Sequence, residues 1–364
     1  MYLYNAADLI ISNSISGTNV LGGIYTPTGT NLIIYFQDPS LSPAWPATGH
    51  LTRLTNDFYL LKTGGWTNYI STNLSFVGID SYTNVKYAGW SFVTNVAFWD
   101  YRESDTVQAV QIDVAAFGRW LTNALPGGGT NWNNVGFQEK GHGINSIYVY
   151  NSVPLNNSIL PAVRVINGAQ LPYTHGAAGT IYVNYFTAGL TVATPMPIYV
   201  LGNYNNQTSS AHVSSGTDTT YTYPAALMGD AITILSTSWN DNWNAGITLS
   251  SRNAGSTTLN AACLEGIVQS VTAGGTKHYS GGLENFLRLS ESWSGDTLTY
   301  NGSIVVMFPS IYATNYWIQP GTYYDVPTRH WGFDSNFTQQ AKLPPLAPQV
   351  KQVVRGQWGN WVDY

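Results

Sequence analysis

Short apolar and β-branched segments recur through the second half of the chain, and each is followed by a corner of glycine, asparagine or proline. Most are too close together to be joined by helices, and no helical period lies between them. The pattern therefore predicts a coil of short strands, a β-solenoid, and not a doubly wound sheet. The predicted strands are Ala162–Asn167, Thr180–Tyr185, Leu190–Thr194, Ile198–Leu201, Ala231–Ser236 and Ser303–Phe308.

The first 160 residues show a mixed pattern with a single helix signal. Val114, Phe117 and Leu121 recur near helical spacing after Asp113, and Pro126 with three glycines ends the run. Residues 126–134 are predicted to form an exposed loop. These features predict a small α+β module over residues 1–160, with strand candidates at Leu9–Ile11, Leu32–Phe36, Phe58–Leu61, Trp90–Trp99 and Ile147–Val149.

The solenoid is predicted over residues 161–342, with two polar insertions at 203–221 and 239–255. Both are rich in Asn, Ser, Thr and Gly and too long for tight turns, so we expect them to leave the coil as loops. Residues 343–364 combine prolines with aromatic residues and are predicted to be an extended tail. Such a tail would cover the open end of the solenoid or pack on a neighbouring subunit, which would make the protein self-assembling.

Charged residues make up only 9% of the chain, with 14 Lys and Arg against 19 Asp and Glu. No basic cluster exists, so binding to the phosphates of nucleic acid is excluded. No run of about 18 apolar residues exists either, so no membrane span is predicted. The 25 Tyr and 13 Trp beside few charges are typical of β proteins that are extracellular or at the cell surface. The lone Cys263 is predicted to be a small buried hydrophobe.

Four acidic residues are the candidates for catalysis, because two carboxylates can act as acid and base on a glycosidic bond. They are Glu265, Glu284, Glu291 and Asp296. The competing interpretation is structural and is favoured: Glu284, for example, would bond to backbone amides or pair with Arg288 at i+4.

The segment WDYRES brings Asp100, Arg102, Glu103 and Asp105 close together. A local network between the arginine and the carboxylates that fixes a strand exit is the favoured interpretation. The alternative is a calcium site formed by Asp100, Glu103 and Asp105, since calcium prefers clustered oxygen ligands. No other cofactor is predicted, because the histidines lack the spacing of a zinc site.

Trp132, Trp239 and Trp243 belong to no apolar period and lie in polar stretches. Exposed tryptophans beside Asn and Asp can stack on sugar rings, so these three are the candidates for a polysaccharide-binding site. The alternative, which is favoured, is that they fold back and cap the solenoid.

Six segments, together with YNAAD (Tyr4–Asp8) and WDYRES (Trp99–Ser104), resemble the C-terminal part of bacterial PilX-like proteins of type IV pilus or pseudopilus systems. They are VRVINGAQLP (163–172), GLTVATPMPIYVLGNYN (189–205), PAALMGDAITILSTSWND (224–241), TTLNAACLEGIV (257–268), YSGGLENFLRLSESWSGDTLTYNGSIVVMF (279–308) and RHWGFDSNF (329–337).

The resemblance covers roughly residues 8–348 and implies a right-handed β-helix in an envelope-anchored or filament-tip protein without enzymatic activity. Members usually begin with a hydrophobic pilin-type helix, which this chain lacks. We therefore expect a non-catalytic cell-surface or pilus-associated structural or adhesion protein, with pilus subunits or further copies as partners. The alternative is a carbohydrate-active β-helix enzyme, a hydrolase or lyase, or a carbohydrate-binding protein.

Overall fold

Strands dominate the structure, and most of them belong to two large sheets. The computed structural model describes residues 2–15, 18–21, 24–27, 30–37, 51–53, 56–62, 65–71, 84–87, 92–122, 131–176 and 186–347. The nine-stranded sheet has the order β26 (Thr328–Phe333), β25 (Thr297–Pro309), β21 (Thr257–Ile267), β19 (Ala225–Gly229), β15 (Leu190–Ala193), β11 (Ser146–Asn151), β1 (Leu9–Ile15), β4 (Thr30–Gln37) and β5 (Leu51–Arg53). The six-stranded sheet has the order β24 (Arg288–Leu289), β20 (Ile232–Leu235), β16 (Ile198–Leu201), β12 (Ile159–Ile166), β10 (Asp105–Asp113) and β9 (Val93–Asp100). The prediction of a mainly β chain is confirmed.

The remaining strands form small separate sheets. Four are hairpins: β2 (Thr18–Leu21) with β3 (Ile24–Pro27), β13 (Tyr173–His175) with β14 (Phe186–Ala188), β17 (Gln207–Ser209) with β18 (His212–Val213), and β22 (Val271–Ala273) with β23 (Thr276–His278). A three-stranded sheet has the order β7 (Gly65–Ser71), β6 (Asn56–Lys62) and β8 (Asn84–Tyr87).

Three α-helices lie within the described part of the chain: α1 (Tyr2–Ala6), α2 (Val114–Thr122) and α3 (Trp132–Lys140). Short 3-10 helices cover Leu249–Ser251, Gly282–Glu284, Ser335–Thr338 and Gln340–Lys342. Helix α2 was predicted, and the Asp113 carboxylate accepts a hydrogen bond from the Ala116 amide at 2.8 Å, as a residue capping its first turn should.

The prediction of a loop that extends to residue 134 was wrong at its end, because helix α3 begins at Trp132. Asn131 caps this helix by accepting a hydrogen bond from the Asn134 amide at 2.9 Å, and Gly141 ends it in the left-handed conformation at φ 75°. The helix is mostly polar, so it lacks the apolar period on which the sequence prediction depended.

From β10 to β25 the chain alternates between the two sheets. Strands β10, β12, β16, β20 and β24 follow one another in the six-stranded sheet, and each pairs with the next in parallel. Strands β11, β15, β19, β21 and β25 do the same in the nine-stranded sheet. Both series continue across residue 160, the predicted module boundary. The prediction for Thr180–Tyr185 lies outside the described residues.

The core lies between the inner faces of the two sheets. Alternate positions point inward, so Ile198 and Val200 of β16 face the core while Tyr199 lies on the outer face. The inward side chains are mostly Val, Ile and Leu, which suit strands covered on both faces. Cys263 is buried in this core, as predicted, and burial raises the pKa of its thiol.

Side chains from segments outside the two sheets cover the outer face of each sheet. On the six-stranded sheet Phe98, Tyr199 and Leu235 form an apolar cluster, against which Trp239 and Tyr312 pack. On the nine-stranded sheet Leu3 and Phe337 pack against a cluster of three alanines and Met228. Beside it the Thr191 hydroxyl donates to the Pro345 carbonyl, so the start of the predicted tail lies against the body. Residues 348–364 lie outside the described residues.

Stacked asparagines satisfy backbone groups beside strands β21 and β25. The Asn260 side chain donates to the Asn205 carbonyl at 3.0 Å, and the Asn205 side chain donates to the Asn260 carbonyl at 2.8 Å. Asn301, the neighbour of Asn260 in register, donates to its side-chain oxygen at 2.9 Å. Since all three are buried, this ladder pairs polar groups that water cannot reach.

Candidate functional site

The WDYRES segment forms a buried network at the exit from β9. One Asp100 carboxylate oxygen accepts hydrogen bonds from the amides of Arg102 at 2.7 Å and Glu103 at 2.8 Å. The other accepts from the Tyr199 hydroxyl at 2.5 Å. The predicted role of this segment in fixing a strand exit therefore agrees with the hydrogen bonds of Asp100.

Glu103 connects this exit to the far end of the chain. Its carboxylate lies 3.0 Å from the Arg288 guanidinium and 3.5 Å from that of Arg102, and it accepts the Asn315 amide at 2.9 Å. Burial, the largest cause, raises the pKa of Glu103. Arg288 also donates to the Ala313 carbonyl at 3.0 Å. This buried ion pair connects residues 185 positions apart in the sequence, which is consistent with a structural role.

The calcium candidates do not converge on one open space. The Asp100 and Glu103 carboxylates are buried and accept hydrogen bonds from protein groups, whereas Asp105 is half-buried at the start of β10. Within the described ranges no group of three or more His, Cys, Asp or Glu side chains is arranged to hold a metal ion.

Two of the catalytic candidates are buried carboxyls. Glu265 accepts the Ile232 amide at 2.7 Å, and Glu291 accepts both the amide and the hydroxyl of Ser236 at 2.7 Å. Burial raises the pKa of each of them to about 7. Both are almost completely enclosed, at 1% and 0% exposure, so neither carboxyl faces a groove.

The other two catalytic candidates lie nearer the surface. Glu284 pairs with Arg329 at 2.7 Å and accepts the Tyr324 hydroxyl at 3.2 Å. The predicted partner Arg288 is instead bound to Glu103, because it points to the outer face of β24 where that carboxylate lies. Asp296 accepts the Ser256 hydroxyl at 3.0 Å. The structure thus distributes the four acidic candidates over separate hydrogen-bonded positions.

The three candidate tryptophans are half-buried, each against other aromatic rings. Trp132 stacks on Trp120 with ring centroids 5.5 Å apart and an interplanar angle of 17°. Trp239 packs edge-on against Phe98, and Trp243 packs edge-on against Trp239. The Trp239 indole nitrogen also donates to Asp241 at 2.9 Å. These contacts match the alternative in which the tryptophans fold back on the body.

Two grooves flank the hairpin β13–β14. One has a volume of about 520 Å³, and its lining includes Phe186, Tyr223 and Asn336. The other has a volume of about 450 Å³ and is lined on one side by Tyr173–His175 and on the other by helices α2 and α3. Both volumes fall in the range of ligand-binding sites. The hairpin therefore separates two spaces large enough for a ligand.

Four rings on this hairpin and beside it form what we call the aromatic surface: Tyr173, His175, Phe186 and Tyr223. The ring centroid of Tyr173 lies 5.8 Å from that of Tyr223, on which it stacks, and 6.3 Å from that of Phe186. The ring centroids of His175 and Phe186 are 4.9 Å apart. Tyr173 and Phe186 remain 45% and 52% exposed, so large rings face solvent in one contiguous patch.

The alternation of the hairpin explains this surface. Thr174 pairs with Thr187 in register, and both side chains are buried on the inner face, where Thr187 accepts the Gly143 amide at 2.9 Å. A Cβ at position 143 would lie 2.5 Å from the Thr174 hydroxyl, so the close approach requires glycine. The rings of Tyr173, His175 and Phe186 consequently lie on the outer face.

The sequence prediction missed the aromatic surface. Its signal is the pair of alternating triplets YTH (173–175) and FTA (186–188), in which the threonines share one face and the rings share the other. Each triplet is short, and Tyr223 lies far along the chain, so the sequence alone does not bring the four rings together.

Comparisons with known proteins found no match. No protein-family model, no curated protein and no solved structure matches this chain. The resemblance to PilX-like proteins therefore stays a prediction. Among the described residues, no helix has both the length and the apolar character needed to cross a membrane.

Proposed function

We propose that this chain is a non-catalytic structural or adhesion protein of the cell surface or of a pilus, with a right-handed parallel β-helix as its body. Support for the β-helix comes from the regular alternation of the chain between two parallel-stranded sheets. Support for the extracellular location comes from the neutral polar composition.

The non-catalytic interpretation depends on the burial and the hydrogen bonds of the acidic candidates. A glycosidase needs two carboxyls that face one space across the scissile bond. Glu265 and Glu291 are enclosed and hydrogen-bonded, and Glu284 is paired with Arg329. Among the described residues that line the two grooves, the only carboxylate is that of Asp334, which is buried and accepts the Asn336 amide.

The test is a turnover screen combined with cell fractionation. We expect the purified chain to release no soluble product from any polysaccharide of a broad panel, as read by mass spectrometry. We also expect an antibody to detect the native protein in the envelope or medium. Product release that a Glu284→Gln or Glu291→Gln variant abolishes would favour the enzyme alternative, and detection in the cytosol alone would contradict the surface role.

Self-association with a second copy of this chain is part of the proposal, and an exposed strand edge supports it. Strand β26 pairs only with the first half of β25, up to Gly302. The second half, Ser303–Pro309, is paired with β21 on one side and has no further strand beside it within the described residues. Val306, Met307 and Phe308 of this edge are exposed and no residue of it is charged.

An uncharged, exposed edge is a template for another strand. A second copy fits because antiparallel pairing of two identical edges is two-fold symmetric, so each copy satisfies the other. We expect sedimentation equilibrium to give a dimer mass for the native chain and a monomer mass for Val306→Lys, since a charge on the edge opposes pairing. The matched control is Tyr279→Ala, an exposed residue off this edge. A native monomer, or a dimer that persists in Val306→Lys and is lost only on removal of residues 348–364, would contradict the edge interface.

A further inference from the structure

We infer that the aromatic surface and the two grooves beside it bind a neutral polysaccharide. This inference rests on the proposed function and names the ligand class that an adhesion protein with this surface would take. It moves the predicted sugar site from the tryptophans to Tyr173, Phe186 and Tyr223.

Two rings of the aromatic surface are exposed and can contact a sugar. A pyranose has an apolar face of C–H groups, which packs against an aromatic ring and so removes apolar area from water on both sides. Tyr173 and Phe186 are exposed and adjacent, whereas Trp132, Trp239 and Trp243 are half-buried and packed against other rings. The hairpin register fixes the rings on one face, so the surface is formed before any ligand binds.

The lining of both grooves contains neutral polar side chains suited to sugar hydroxyls. Sugar hydroxyls both donate and accept hydrogen bonds, and neutral hydroxyl and amide side chains can do the same. The larger groove is lined by Thr208, Thr220 and Thr222 together with Asn145. The smaller groove is lined by Thr122, Asn131 and Gln170. A chain of several sugars could then stack on the rings while its hydroxyls bond into the grooves.

The few charged residues that line the grooves favour a neutral ligand. Apart from two histidines, the charged residues among the described lining are Asp334, Lys342 and Arg119. Lys342 already donates to the Asn336 side chain at 2.9 Å, and Asp334 is buried. An acidic polysaccharide would need several arginines or lysines free to pair with its carboxylates. Lys342 and Arg119 are both exposed, but they are one cation in each groove and Lys342 is already hydrogen-bonded, so the surface has no such cluster.

The experiment is affinity electrophoresis of the full chain in native gels that contain one polysaccharide each. The neutral probes are soluble cellulose derivatives without charge, xyloglucan, mannan, mixed-linkage glucan and starch; the acidic probes are pectate and hyaluronan. We expect at least one neutral gel to retard the native chain. Tyr173→Ala and Phe186→Ala should each weaken this binding about tenfold, since removal of a central aromatic contact commonly has that effect.

Controls separate a binding defect from a folding defect. Tyr279→Ala removes an exposed tyrosine that lines neither groove and should leave retardation unchanged. Phe186→Tyr keeps the ring and should retain binding. The melting temperatures of all variants should match that of the native chain, because both targeted rings are exposed. Double substitution of Tyr173 and Phe186 provides a second measurement if a single change is too small to resolve.

Three outcomes would overturn the inference: no retardation in any neutral gel, retardation in acidic gels alone, and neutral retardation that survives the double substitution. Binding of a proline-rich peptide that competes with the polysaccharide for the rings, at higher affinity, would assign the surface to a peptide instead. None of these outcomes affects the proposed function, which fails through product release, a cytosolic location or, for its self-association, a native monomer.

Discussion

Arg288→Ala is expected to lower the free energy of unfolding by about 3–5 kcal/mol, as measured by urea denaturation. The guanidinium of Arg288 lies 3.0 Å from the Glu103 carboxylate, and the two side chains are only 3% and 5% exposed. Without Arg288 the carboxylate keeps the weaker Arg102 contact at 3.5 Å. The Ala313 carbonyl loses a donor as well. The loss is large because a charge is then buried without its best partner.

The matched control is Arg329→Ala, which removes an arginine from another ion pair with a glutamate. That pair, with Glu284 at 2.7 Å, has side chains 26% and 30% exposed. Because water screens it, the expected loss is at most about 1 kcal/mol. In a Glu103→Gln background the effect of Arg288→Ala should shrink, since no buried carboxylate remains to be left unpaired. Equal losses for Arg288→Ala and Arg329→Ala would contradict the structural role of the buried pair.

Stability is expected to fall as pH rises from about 4.3 to about 7. Burial raises the pKa of Glu265 and of Glu291 to about 7 in the folded state, and an unfolded glutamate titrates near pH 4.3. Between these values the folded state binds more protons than the unfolded state, so the free energy of unfolding decreases with pH. The stabilisation from these two carboxyls is complete below the pKa of an unfolded glutamate, where the folded and unfolded states are both protonated. It is lost as pH rises through 7.

Each of these carboxyls should account for a loss on the order of 3 kcal/mol, which urea denaturation at about pH 5 and about pH 8 would measure. Glu291→Gln should reduce the difference between the two pH values, because an amide cannot ionise. Ser236→Ala should enlarge it, since the hydroxyl that donates to the carboxylate at 2.7 Å lowers the pKa of Glu291 and would be gone. A pH dependence that is identical in the native chain and in both variants would refute the role of Glu291.

The sequence shows which charged residues are candidates for a functional site, but it does not show which partners they bind. WDYRES and the following Asp105 were recognised as a network, because four charged residues lie between positions 100 and 105. The partners of Glu103 and Glu284 could not be predicted, since Arg288 and Arg329 lie 185 and 45 positions away and only the tertiary fold brings them near. The i+4 interpretation of Glu284 was wrong because Gly282–Glu284 forms a single 3-10 turn and Arg288 belongs to a strand.

The sequence by itself determined the mainly β character, helix α2 and five of the six strands predicted for the second half, which are β12, β15, β16, β20 and β25. These depend on local information: β-branched runs, turn residues and a capped apolar period. Only the tertiary structure decided the assignment of strands to two sheets, the buried Glu103–Arg288 pair, helix α3 beside the hairpin and the four-ring aromatic surface. Each of these features brings together residues that are distant in sequence. Strand register and packing determine which distant residues make contact, and no local sequence pattern encodes them.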